Sequence, residues 1–122
     1  MPYLANTTEL GNLEIKNIYI NYDFPRLFSC ANQYGEIYLV LSVGESDFYC
    51  QWIYMPVSKE RLLKIESGEI DLKDAFKNSE NGKVWNVSIP IDIDDKIDLV
   101  SSSSIPDKVL PKAGIKIGTK ID

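Results

Sequence analysis

The sequence predicts an α+β fold: an antiparallel meander sheet of about five strands, two short helices packed on one of its faces, and an irregular C-terminal arm. Three observations carry that prediction. Alternating segments rich in β-branched and aromatic residues fill positions 13 to 55. Two helix-start signals follow, at Ser58 and Asp71, and a stretch rich in serine, proline and lysine closes the chain from Ser101. A length of 122 residues suits one core, so the chain divides into a single domain over 1–100 and an arm over 101–122.

The first strand is Leu13 to Tyr22, where apolar residues stand two apart with a phase change near Asn17 that predicts a bulge. Asp23-Phe24-Pro25 then interrupts, because proline lacks the ladder donor and holds its predecessor extended. Leu27–Ala31 and Ile37–Val43 flank Asn32-Gln33-Tyr34-Gly35, a turn whose glycine can take positive φ, and so read as a hairpin. Gly44 to Asp47 supply the next turn, and Phe48 to Met55 a third strand of the meander that ends at Pro56.

Ser58 can accept the free amide hydrogens of a first helical turn, with Val57 placed to staple against Leu62, so a helix is predicted over about 59–67. Gly68 fits the residue just past its end. Asp71 caps a second helical segment over 71–77 with Asp74 at its third position, and Asn81-Gly82 makes another turn. Val84 to Ile93 alternates with period two, but Pro90 would cost a central strand a hydrogen bond, so this segment is expected at an edge or as two short pieces. The arm is expected to be irregular, with a short strand at Ile115–Ile117.

Missing residues exclude much chemistry. The chain has no histidine, which removes the usual general base and the commonest zinc ligand together. Its two cysteines, Cys30 and Cys50, are not in a C-x-x-C pair and are expected as core thiols. Seven glycines are scattered singly, without the spacing of a phosphate-binding loop. No catalytic residue, cofactor or metal is therefore expected. No apolar run reaches the ~18–20 residues of a membrane span, and the start, Met1 to Asn6, has no secretory signal pattern. A cytoplasmic protein without membrane contact is the expectation.

Charge points towards contact. The net charge is −5, distributed unevenly: residues 1–107 hold nine Lys/Arg against seventeen Asp/Glu, whereas 108–122 hold four lysines against one aspartate. Such a body disfavours direct nucleic-acid binding and favours a basic protein partner. Its densest acidic cluster is Asp92, Asp94, Asp95 and Asp98, which fails the spacing of a calcium loop because Lys96 and Ile97 occupy ligand and glycine positions. A solvated acidic face is the plainer reading, and a contact surface for a basic partner the functional one. Aromatic residues crowd positions 19 to 54 with Arg26 as the sole cation, so core packing or an aromatic contact face is expected rather than base stacking. Arg61, a cation where a helix begins, is read as pairing with Glu36, Glu45 or Asp47, or as holding a specific role. Lys108, Lys112, Lys116 and Lys120 are four apart, but Pro111 and Gly114 oppose a helix there.

The runs Leu27-Phe28-Ser29-Cys30, Tyr38-Leu39-Val40-Leu41, Trp52-Ile53-Tyr54-Met55-Pro56-Val57-Ser58, Arg61-Leu62, Ser67-Gly68-Glu69-Ile70-Asp71-Leu72 and Asp74-Ala75-Phe76 resemble an uncharacterised bacterial domain family. Its pattern, strands followed by P-V-S-x-x-R-L and S-G-x-I-x-L-x-x-A, covers about residues 27–87. The resemblance implies a fold and no active site, and it associates the chain with bacterial and phage conflict systems.

The expected function is thus a non-catalytic protein-binding module, an inhibitor or accessory subunit. Its candidate contact residues are Asp92, Asp94, Asp95, Asp98, Arg61, Tyr49 and Tyr54, and its partner a basic protein or a second copy of the chain. Two alternatives stand beside it: an acidic mimic of nucleic acid that inhibits a DNA- or RNA-binding protein, and a small-ligand sensor or histidine-independent enzyme.

Overall fold

The computed structural model describes residues 4–5, 7–22, 24–45, 49–90 and 95–117. Six strands form one antiparallel sheet: β1 (Glu14–Tyr22), β2 (Phe24–Ala31), β3 (Ile37–Glu45), β4 (Tyr49–Val57), β5 (Lys83–Pro90) and β6 (Lys96–Ser101). Their spatial order equals their chain order. The α+β meander is as predicted, with six strands in place of about five.

The bulge anticipated near Asn17 is present, as register shifts between Ile15 and Asn17 and between Ile18 and Ile20. The β2–β3 hairpin turns through Gly35, whose φ of 81° needs a residue without a Cβ. The turn expected after Gly44 falls partly outside the described residues.

Two helices, α1 (Lys59–Glu66) and α2 (Leu72–Lys77), connect β4 to β5 while leaving those strands paired from Tyr49↔Pro90 to Tyr54↔Trp85. The caps follow the sequence. Ser58 Oγ accepts from Arg61 N, Asp71 Oδ1 accepts from Asp74 N at 2.7 Å, and Gly68 takes φ 86° past the end of α1.

β5 corrects the expectation of an edge strand, since it lies between β4 and β6. Pro90 is its last residue, beyond the Lys83–Ser88 stretch that pairs with β6, so its missing N–H leaves that ladder intact. Pro25 and Pro56 follow the same rule. Pro25 pairs with Asn21 ahead of the β2–β3 ladder, and Pro56 pairs with Tyr38 past the end of the β4–β5 ladder.

Alternation sends side chains to two buried faces. On the helix face, Leu27, Leu39, Ile53, Met55 and Val84 pack with Leu62, Ile65, Leu72 and Phe76 of the helices. On the opposite face, Phe28, Tyr38, Trp52, Tyr54 and Val87 pack beneath Ala5 and Leu10. This second face is an aromatic layer: the Phe28 and Trp52 rings meet edge to face at 5.9 Å, and Tyr38 and Tyr54 are 6.4 Å apart.

The arm is irregular, and its apolar residues are part of the core. Two 3₁₀ turns, Ser102–Ser104 and Asp107–Val109, place Ile105 and Leu110 in the same cluster as the helices. The short strand expected at Ile115–Ile117 does not form. Ile115 instead accepts Leu72 N at 2.8 Å through its carbonyl, and Asp71 Oδ2 accepts Gly114 N at 2.9 Å, so the arm is stitched to the start of α2.

Candidate functional site

The sheet has two edges, and they differ. β1 follows an interrupted register along β2, with three shifts, and such irregularity obstructs the addition of a further strand. β6 pairs with β5 in six consecutive steps from Lys83↔Ser101 to Ser88↔Lys96 without a shift. As the sheet's terminal strand it directs the amides and carbonyls of alternate residues away from β5.

Side chains around this edge suit a contact. Asp98 is exposed opposite Asn86, and Leu99, opposite Trp85, leaves 49 % of its surface in solvent. Ile97 packs against the aromatic layer and fixes the strand's orientation. Asp95, half-buried ahead of β6, adds negative charge that is felt by the Tyr54 hydroxyl. Asp92 and Asp94 lie outside the described residues. Among those described, no three carboxylates or thiolates converge as a metal site would need.

The other predicted contact residues are placed differently. Tyr54 is fully buried and accepts Ala5 N through its hydroxyl at 3.0 Å, so it serves the core rather than a surface. Burial, and Asp95 to a lesser degree, pushes its hydroxyl well above the ordinary tyrosine range. Tyr49 opens β4 opposite Pro90, and its side chain is outside the described set. Arg61 turns to backbone: its Nη2 donates to the carbonyl oxygens of Asn78 at 2.7 Å and Ala75 at 3.4 Å, at the end of α2. Both cysteines are buried thiols outside any disulfide, and burial pushes Cys30 up to about 12.

Two concavities escape sequence reasoning. One lies between α1 and the β1–β2 edge, where Tyr19 donates to Glu66 Oε2 at 2.5 Å and stands 3.2 Å from Ser29 Oγ. Burial and the Glu66 carboxylate raise the Tyr19 hydroxyl to about 12, so the group is a donor and no base at neutral pH. The other is a cleft of about 280 Å³ on the helix face, between β3 to β6 and the arm. Its floor carries two carboxamides, with Gln51 Nε2 donating to Asn86 Oδ1 at 3.2 Å. A signal for it stands in the sequence. Gln51 precedes Ile53 and Asn86 follows Val84 at period two, so both amides occupy positions that alternation assigns to a buried face.

One family matches the chain, over residues 1–121, and is described as a family of unknown function (DUF6575). No curated protein and no solved structure matches it.

Proposed function

The chain belongs to DUF6575, a family of unknown function, and we propose from its surface that it is a non-catalytic protein-binding module, an inhibitor or accessory subunit. Its contact is the β6 edge, and the occupant is an extended, basic segment of a partner protein that adds as a seventh strand. One observation carries this reading: β6 is a regular, unshifted terminal strand with an exposed aspartate and an exposed leucine at consecutive positions, one on each face of the sheet. Main-chain hydrogen bonds to such an edge supply affinity, and alternate side chains supply selectivity. Leu99 offers an apolar contact, while Asp98 and the acidic run ahead of it favour lysine or arginine in the segment and speed encounter through charge.

The test is a selection of random peptides displayed against the purified protein, followed by NMR titration of those enriched. The expected peptides alternate apolar with basic residues, perturb the β6 amides, and lose affinity in Asp98→Lys and with added salt. Enrichment of peptides that map to the α1 groove, or indifference to both Asp98→Lys and salt, overturns the reading. Displacement of the peptides by DNA would favour the nucleic-acid mimic instead.

A further inference from the structure

The cleft on the helix face is a separate feature from the β6 edge, and its chemistry is specific. Gln51, Ile53, Val84, Asn86, Val100 and Ile105 line it together with exposed arm residues, and none of the lining residues carries a charge. The cations that reach this part of the arm, Lys73 and Lys77, are engaged elsewhere. The Lys77 ammonium donates to the carbonyls of Ser103 and Ile105 and pairs with Asp107 at 3.1 Å, and Lys73 pairs with Asp107 at 3.6 Å. An anionic ligand would thus lose its hydration without gaining a counter-charge.

A neutral ligand faces a different floor. The hydrogen bond from Gln51 Nε2 to Asn86 Oδ1 uses one donor and one acceptor of the pair, which leaves a carbonyl oxygen and an amide N–H₂ with further capacity. Those two groups, adjacent on strands β4 and β5, complement one donor and one acceptor held side by side, as in a carboxamide or lactam. The walls are the apolar side chains of Ile53, Val84, Val100 and Ile105. A volume of about 280 Å³ suits a compact small molecule.

We propose that this cleft is a binding site for a small neutral molecule that joins a compact apolar ring or branched body to a single amide group. The amide pairs with Gln51 and Asn86, and the apolar body fills the space beneath the arm.

The experiment titrates the isotope-labelled protein with benzamide, with benzoate as its charged counterpart and toluene as its apolar one, while the side-chain amide signals of Gln51 and Asn86 are followed by NMR. Benzamide is expected to shift both signals saturably, and benzoate and toluene to bind at least about tenfold more weakly, the cost of one unmatched polar group or unpaired charge. Asn86→Asp, which removes the floor's donor at constant shape, should weaken benzamide by a similar factor. Val109→Trp, which enlarges a half-buried arm residue of the cleft wall, should abolish binding, with the backbone amide spectrum checking that the fold is kept. Equal binding of benzoate, shifts that cluster outside the cleft, or benzamide binding that survives Val109→Trp would overturn the assignment. The cleft is scored on the side-chain amides of Gln51 and Asn86 and the β6 edge on backbone amides of β6 in the parent protein, so the two readings fail on different signals.

Discussion

Arg61 in the first turn of α1 donates to the Asn78 carbonyl just past α2 at 2.7 Å, so a cation that is unfavourable where its own helix begins is favourable where the next one ends. Arg61→Ala removes the partner of two carbonyl oxygens and should cost about 1–3 kcal/mol in denaturant unfolding. Arg61→Lys keeps the charge but loses the planar reach, and should fall between. Wild-type stability in Arg61→Ala would show that the guanidinium is free for another role.

Tyr19 ties β1 to α1 through Glu66, and its folded pKa of about 12 lies above the ordinary 10.0. A raised pKa means that its contribution is whole below pH 10 and is lost as pH rises through 12. Cys30, raised from 9.0 to about 12, begins to act earlier on the same alkaline limb. Tyr19→Phe should cost about 1 kcal/mol at pH 7 and flatten the loss of stability between pH 10 and 12. A limb identical to that of the parent would remove the hydroxyl from the account.

Asp71 joins two roles in one carboxylate, capping α2 through Oδ1 and holding Gly114 N through Oδ2. Those two amides hold its pKa below the usual value, so its stabilisation is present above pH 3.8 and lost as pH falls below it. Asp71→Ala should cost about 1 kcal/mol from the cap alone. Asp71→Asn keeps a cap acceptor and should release chiefly the arm, read as faster hydrogen exchange at Gly114.

Cys30 and Cys50 are buried thiols on the aromatic face. A thiol reagent at pH 8 should leave both unmodified in the native protein and modify both in denaturant, because both are buried away from the reagent and burial opposes the reactive thiolate of Cys30. Rapid native labelling would mean that this face opens.

Tyr54→Phe deletes the acceptor of Ala5 N, leaving a buried donor without its partner. The expected loss is about 1–2 kcal/mol, with increased proteolysis of the segment before β1 as the local readout.

What the sequence made legible is local. Ser58 and Asp71 announce their helices because a cap is a contact three residues long, and Gly35 and Gly68 announce turns because only backbone conformation is at stake. The prolines misled in a consistent way. Each reads as a break in a strand, whereas Pro25, Pro56 and Pro90 all sit where their strand has a neighbour on one side only, a fact of ladder register that no window of sequence contains. β6 was hidden because an edge strand need not alternate cleanly: Lys96, Asp98 and Leu99 are all exposed. Tyr54 was named for a contact face because aromatic residues crowd this stretch, and nothing in composition reveals that Leu4, Ala5, Leu10 and Leu13 pack against the layer it belongs to. The site inherits the same limits. Asp98 and Asp95 were visible as charges, while the approach of Gln51 to Asn86 depends on the pairing of two strands separated by both helices.

The identity of spatial and chain order has a consequence for synthesis. Every sheet contact joins consecutive strands, so a chain emerging from the ribosome can extend the sheet one strand at a time, each new strand pairing with the one made before it. The exception is the segment ahead of β1. Ala5 precedes its partner, the hydroxyl of Tyr54, by 49 residues, so this segment finds its place only after β4 has joined the sheet, and the aromatic layer beneath Ala5 and Leu10 stays open until then.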